Sequence, residues 1–193
     1  MAGEVGELFS PFEVTRSLRD ISPADYIFKI ESFSVLLGAL EKYESKVFKA
    51  GGYEWKLSLY PGGNKNRDVK DHVSLYLQLA NTTKFRGDWE VNVKFTLFVF
   101  DHICDKYLAT EDVGQVRRFH SMKTEWGFDQ FLSLDAFNNR SNGYLVNDCC
   151  VFGAEVFVIK YAGKGECLSM KKELQAQYCH AFKEDDDLSQ WKQ

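Results

Sequence analysis

Residues 72–79, His72-Val73-Ser74-Leu75-Tyr76-Leu77-Gln78-Leu79, show the clearest alternation of apolar and polar side chains in the sequence. Successive side chains of a β-strand point to opposite faces of a sheet, so a period of two indicates a strand with one face toward a core. The predicted core face carries four aliphatic residues: Val73, Leu75, Leu77 and Leu79. The opposite face is predicted to contact solvent or a partner.

The same alternation recurs at short intervals on both sides of this strand, at residues 26–31, 53–60, 89–101 and 150–158, with shorter segments at 107–108 and 116–119. Turns such as Pro61-Gly62-Gly63-Asn64 separate the segments. About eight short strands with few helices and no βαβ pattern predict an all-β fold, an antiparallel β-sandwich. Residues 128–137 are predicted to form a short helical turn or loop, because apolar residues recur there every three or four positions.

Both ends of the chain depart from this pattern. Residues 1–20 are polar and are predicted to form an N-terminal arm, followed by one domain at residues 21–164. Residues 165–193 are predicted to form a C-terminal amphipathic helix and an acidic tail, since apolar side chains recur every four residues. These residues are Met170, Leu174, Tyr178 and Phe182. Such a helix either docks on the sandwich or pairs with another chain to make a homo-oligomer, and the sequence leaves both open.

The composition excludes several classes of partner. The chain has 24 Lys and Arg against 28 Asp and Glu, a net charge of −4, which argues against nucleic acid because phosphates require a basic surface. No apolar stretch is long enough to predict a membrane span. The five cysteines form no CxxC motif, and the N-terminus has no signal-peptide pattern. These features predict a cytoplasmic protein, with the nucleus as the alternative.

No catalytic constellation, cofactor loop or metal site is predicted. Cys149 and Cys150 follow Asp148, and a neighbouring carboxylate disfavours the thiolate that a nucleophilic cysteine needs. His102 and Cys104 offer two ligands, whereas zinc requires at least three from the protein. The glycine pairs lack the frame of a phosphate-binding loop. We therefore predict that the protein is not an enzyme, and a cysteine hydrolase is the least supported alternative.

The remaining feature is Lys123-Thr124-Glu125-Trp126-Gly127-Phe128, in which two large rings flank a glycine. Glycine permits the close approach of another backbone, and exposed rings beside a strand edge suit the capture of an extended peptide. Packing of the same rings in the core is the other interpretation. The residues alone leave both open.

Six motifs, in this order, resemble the meprin-and-TRAF-homology (MATH, or TRAF-C) domain. They lie at residues 26–33, 48–55, 59–64, 71–77, 126–131 and 143–148. The resemblance extends over residues 18–164, and residues 91–101 and 153–160 look most like the plant proteins of this family. It implies an eight-stranded sandwich that binds short linear peptides without catalysis or cofactor, as an adaptor linked to ubiquitination or signalling. A substrate-binding domain cut from a larger deubiquitinase or ligase adaptor is the alternative.

The resemblance also implies where a peptide binds, namely in a groove at an edge strand. Its motif places Trp126, Gly127 and Phe128 in that groove, with His72 and Val93 at further positions where the family often has tyrosine and phenylalanine. Arg117 or Arg118 falls where another aromatic residue is usual. A basic side chain there predicts a ligand with an acidic or phosphorylated residue.

Overall fold

The computed structural model describes residues 14–112 and 114–160. In these residues the strands are β1 (Val14–Arg19), β2 (Tyr26–Ile30), β3 (Tyr43–Glu44), β4 (Phe48–Ala50), β5 (Tyr53–Tyr60), β6 (His72–Leu79), β7 (Glu90–Asp101), β8 (Lys106–Asp112), β9 (Arg117–His120), β10 (Glu125–Ser133) and β11 (Cys150–Ile159). Two short helices, α1 (Phe33–Ala39) and α2 (Leu134–Asn138), follow β2 and β10. None of the helices in this part of the chain has the length and hydrophobicity to span a bilayer.

The strands form two antiparallel sheets. The first sheet has the order β1-β8-β7-β11-β2, with β9 also paired to β7. The second sheet has the order β10-β6-β5-β3, with β4 also paired to β5. The predicted antiparallel sandwich is confirmed, and the described residues contain more strands than the sequence indicated because β1, β3 and β4 lack a clear alternation.

The core lies between the two sheets. All four aliphatic residues predicted from the 72–79 pattern are at most 2% exposed. Aromatic rings connect the sheets: Phe152 of β11 packs 6.3 Å from Phe131 of β10, and Trp55 of β5 packs 5.2 Å from Phe119 of β9. Burial of these rings and of the aliphatic residues around them stabilises the sandwich.

The opposite face of β6 was predicted to contact solvent or a partner. Its end residues His72 and Gln78 are partly exposed, but Ser74 and Tyr76 between them are fully buried. The loop after β5 folds over them. Asn64 donates from its backbone N–H to Ser74 Oγ (3.2 Å) and from Nδ2 to the Tyr76 hydroxyl (3.3 Å), and the Arg67 guanidinium lies 4.8 Å from the Tyr76 ring centre. Polar and charged side chains thus cover the tyrosine, which a simple count of apolar residues could not indicate.

The prediction of an arm over residues 1–20 is wrong for its last part. β1 pairs antiparallel with β8 from Val14 opposite Asp112 to Arg19 opposite Tyr107. β1 is mostly exposed, and long polar side chains attach it, so its hydrophobic signal is weak. Residues 1–13 lie outside the described residues.

The predicted helical turn at residues 128–137 is strand up to Ser133 and helix only in α2. A register shift in β10 explains the error, because it breaks the alternation that would have indicated a strand. α1 was not predicted from the sequence, since it is only seven residues long. The predicted C-terminal helix and acidic tail at 165–193 lie outside the described residues.

Candidate functional site

Consecutive strands β9 and β10 belong to different sheets, and this separation opens one side of the sandwich. β9 pairs with β7 in the first sheet, and β10 pairs with β6 in the second. The turn between them is closed by His120 and Lys123, whose backbone groups exchange hydrogen bonds of 3.0 and 2.9 Å. Across the opening, Trp126 Nε1 donates to the carbonyl oxygen of Arg118 at 2.8 Å.

β10 presents an unpaired backbone edge beside this tryptophan. The Leu79 N–H donates to the Thr124 carbonyl (2.9 Å), and the register places Glu125 opposite Gln78. Hydrogen-bonding direction alternates along an antiparallel strand, so the backbone of Trp126 faces β6. The N–H and C=O groups of Glu125 and Gly127 therefore point away from β6, where β10 ends its sheet. Such an edge can accept an added strand.

Two cations lie over the Trp126 ring. The Arg117 guanidinium is 4.6 Å and the Lys123 ammonium 4.2 Å from the ring centre, both within the range of cation–π attraction. Asp112 holds Arg117 in place through Oδ2, which accepts hydrogen bonds from Nε (2.9 Å) and an Nη (2.6 Å). The side chains of this ion pair are only 16% and 10% exposed, so the positive charge of Arg117 is largely compensated.

Gly127 is required by packing on the outer face of the second sheet. A Cβ at this position would lie 2.3 Å from the Leu75 carbonyl oxygen and 2.9 Å from Tyr76 Cδ1. The tyrosine ring therefore occupies the space where a side chain would stand, while the glycine backbone remains at the free edge.

The structure brings three of the seven predicted site residues together at this opening, Trp126, Gly127 and Arg117, whereas Arg118 contributes only its backbone carbonyl. Val93 and Phe128 are instead in the core, 0% and 6% exposed. Their alternation points them between the sheets, and Phe128 packs 6.2 Å from Phe95. Neither side chain lines the surface that the sequence predicted.

His72 lies at the far end of β6, where it pairs with Ser133 and its Nδ1 lies 2.8 Å from the Lys70 carbonyl. Five residues separate it from Leu77, the partner of Trp126, which corresponds to about 17 Å along a strand. The side chain of Arg118 also points away from the opening: it stands opposite Asn92 on the outer face, and its guanidinium lies 3.5 Å from Glu90.

Sequence reasoning missed Asp112 and Tyr76. The sequence pattern does not predict an ion pair between Asp112 and Arg117, because the two side chains meet only where the chain turns from the end of β8 to the start of β9. Tyr76 is fully buried on the outer face of the second sheet, where the alternation predicted contact with solvent or a partner, so the pattern did not reveal its packing against Gly127. Lys123 was part of the quoted motif but had no assigned role.

Of the cysteines in the described residues, Cys150 lies in surroundings that disfavour a nucleophile. Burial, and then the neighbouring Cys149 and Asp148, raise the pKa of Cys150 to about 12, so its thiol stays protonated. Both carboxylate oxygens of Asp148 accept hydrogen bonds from Ser34, from the backbone N–H (2.8 Å) and from the hydroxyl (2.6 Å). Residues 14–112 and 114–160 contain no cluster of three or more side chains arranged to hold a metal ion.

The family profile described as the MATH domain matches residues 25–156. The chain belongs to the MATH domain family. Its domain is a protein-interaction fold without catalytic function of its own, and the predicted resemblance to plant members is confirmed by relatives from Arabidopsis thaliana.

Three of these relatives show which kinds of protein contain a similar domain. Ubiquitin C-terminal hydrolase 12 is 34% identical over 119 residues, 62% of this chain and 10% of that protein. A MATH domain and coiled-coil domain-containing protein is 30% identical over 62% of this chain and 35% of its own length. Protein RESTRICTED TEV MOVEMENT 3 is 29% identical over 70% of this chain and 43% of its own length. The chain thus spans less than half the length of these relatives.

Among solved structures, TRAF5 of Notothenia coriiceps superposes with a TM-score of 0.47 at 19% identity, over 75% of this chain and 77% of that one.

Proposed function

We propose that this MATH domain is an adaptor that binds an extended segment of a partner protein along the free edge of β10. The observation that carries the proposal is the unpaired backbone of Glu125 and Gly127 beside the half-buried Trp126 ring. An added strand would bond to these backbone groups, and Trp126 would contact one of its side chains. The bound segment is a short linear peptide, and the domain supplies binding without catalysis.

A proline at position 125 tests this proposal. The Glu125 N–H faces away from β6, so Glu125→Pro removes a donor from the free edge without removing a bond to β6. Glu125→Ala is the matched control, because it removes the same side chain and keeps the N–H.

We expect random twelve-residue peptides displayed on phage to yield binders of the wild-type protein. These peptides should bind Glu125→Ala and lose at least about tenfold in affinity for Glu125→Pro, as expected for a lost backbone hydrogen bond and an added clash. Equal binding to the two variants would exclude pairing at this edge.

The ligand is proposed to carry an acidic or phosphorylated residue that binds the Arg117 guanidinium. Of the two arginines, Arg117 lies against the Trp126 ring and Arg118 points to the outer face. A ligand carboxylate or phosphate must share the guanidinium with Asp112, which competes for the same donors.

Asp112→Asn should therefore strengthen the binding of glutamate- or phosphoserine-containing peptides on an array, because it removes the competing negative charge. Arg118→Ala is the control and should leave that preference unchanged. An array that shows no acidic preference in the wild-type protein or in Asp112→Asn would refute this role of Arg117.

A link to ubiquitination or signalling is also part of the proposal, supported by the 34% identity to ubiquitin C-terminal hydrolase 12. The same match favours a second candidate, a substrate-binding domain within a larger deubiquitinase or ligase adaptor. An antibody against the domain would separate the two by the mass of the native protein in cell extract, 22.2 kDa or larger. The proposed location is the cytoplasm, with the nucleus as the alternative. The free thiols of Cys104, Cys149 and Cys150 are consistent with a reducing compartment, and imaging of a fluorescent fusion would test this location.

A further inference from the structure

β10 is interrupted directly after the free edge described above. Phe128 pairs with Leu75 and the next pair is Leu132 with Val73, so β10 advances four residues while β6 advances two. Three residues, Asp129–Phe131, thus stand opposite the single residue Ser74, and this excess of two makes a bulge.

A side chain from the first sheet holds this bulge. Arg16 of β1 extends across the opening, and its Nη2 donates to the carbonyl oxygens of Gln130 (3.0 Å) and Phe131 (3.3 Å). Arg16 is more than 110 positions away in sequence, and β1 lies outside the residues 25–156 that match the MATH profile.

β1 also extends past the edge of the second sheet. The register puts Val14 and Leu18 on the same face as Arg16, toward the interior of the sandwich. Both are nevertheless exposed, 38% and 57%, so the second sheet does not cover them. β1 therefore extends beyond the second sheet beside the free edge of β10, and the Arg16 side chain spans the distance between the two strands.

We propose that Arg16 is a positioning residue that ends the peptide-binding edge of β10. It occupies the Gln130 and Phe131 carbonyls, and the Asp129 carbonyl before them accepts a hydrogen bond from Ser74 Oγ. An added strand can therefore bond to Glu125 and Gly127 and cannot continue past Asp129. This inference rests on the proposed function for its consequence in binding, whereas the hold of Arg16 on the bulge is independent of any ligand.

Hydrogen exchange of the ligand-free protein tests the hold on the bulge. Arg16→Met keeps the length of the side chain and removes its donors. We expect amide exchange at residues 129–132 to be about tenfold faster in Arg16→Met, with exchange in β5 unchanged. Arg16→Lys retains one charged donor group and should restore part of the protection.

Arg19→Met is the matched control, because Arg19 lies on the same strand and bonds to Glu155 instead of β10. Unchanged exchange in Arg16→Met, or equal acceleration by Arg19→Met, would overturn the role of Arg16 in the bulge.

Peptides selected on the wild-type protein from the phage library test the end of the binding edge. Synthetic versions extended by three residues at either end should bind the wild-type protein no more tightly than the originals. In Arg16→Met one extension should improve affinity about fivefold, through a hydrogen bond to a released carbonyl. Extension that helps both proteins equally would overturn the limit at Asp129. If the phage library yields no peptide that binds the wild-type protein, the proposed function is refuted. The hydrogen-exchange comparison of Arg16→Met with wild type then decides by itself whether Arg16 positions the bulge.

Discussion

A single missing side chain, at Gly127, allows the outer face of the second sheet to close around Tyr76. Alanine at this position would place its Cβ within 2.3 Å of the Leu75 carbonyl oxygen, and backbone atoms cannot move away cheaply. We expect Gly127→Ala to lower the free energy of unfolding by about 1–3 kcal/mol, measured by urea denaturation.

Gly38→Ala is the matched control for this substitution. Gly38 lies in α1, and a Cβ added there would have no atom within 4 Å. Alanine there should be neutral or stabilise by up to about 1 kcal/mol, because it favours the helix. A Gly127→Ala protein as stable as Gly38→Ala would show that the β6 backbone at Leu75 and Tyr76 yields to the added methyl group.

Individual side chains also mark the limit of sequence reasoning at the site. The motif predicted Trp126 and Gly127, since rings beside a glycine stand out in a polar stretch, and both lie beside the free edge of β10. It misplaced Val93 and Phe128 because a residue's place in a motif does not state its face, and their strands turn both side chains into the core. Asp112 was not predicted, because its contact with Arg117, five positions away, depends on the turn between β8 and β9.

At the scale of elements, the segment between β1 and β2 crosses the outer face of the first sheet and is anchored there by Glu155. The carboxylate of Glu155 accepts hydrogen bonds from Arg19 (2.7 and 2.6 Å) and from the Ala24 N–H (3.0 Å). The Arg19 guanidinium also lies 4.8 Å from the centre of the Phe98 ring, which is fully buried. This anchor connects the two edges of the sheet.

The anchor should depend on pH. The hydrogen bond from Arg19 lowers the pKa of Glu155, against the opposing effect of burial. A lowered pKa in the folded state means that the stabilisation is present above the pKa of the unfolded chain and is lost as the pH falls through the folded value. Glu155→Gln should therefore cost about 1 kcal/mol at pH 7. The difference from wild type should shrink below about pH 4.3, the pKa of glutamate in the unfolded chain, and should vanish only once the pH is below the folded pKa.

Urea denaturation at both pH values would measure this difference. Glu31→Gln is the control, because Glu31 pairs with Lys29 on an exposed surface and should leave the denaturation midpoint unchanged. A deficit of Glu155→Gln that persists undiminished in acid would show that the anchor is not ionic.

The elements differ in how well the sequence predicts them. Strands β5, β6, β7 and β11 followed from alternation because one face of each packs into the core. β1 did not, since its inward-facing residues overhang the second sheet and its contacts are made by arginine side chains. The second half of β10 was mistaken for a helical turn because the bulge changes its period.

At the scale of the whole domain, the two sheets share one aromatic core and should unfold together. Phe152 in the first sheet is fully buried and packs against Phe28 of its own sheet (5.6 Å) and Phe131 of the other (6.3 Å). Phe152→Ala should therefore lower the free energy of unfolding by about 3–5 kcal/mol. Because the lost contacts belong to both sheets, the midpoints from far-UV circular dichroism and from tryptophan fluorescence should shift by the same amount.

Phe157→Ala provides the comparison, because it removes the same ring from the same strand at a position that is 69% exposed. Its effect should stay within about 0.5 kcal/mol. Separate midpoints for the two probes in Phe152→Ala would mean that the sheets unfold independently. In that case contacts across the sandwich, including the bonds from Arg16 to β10, would not suffice to couple the binding edge to the first sheet.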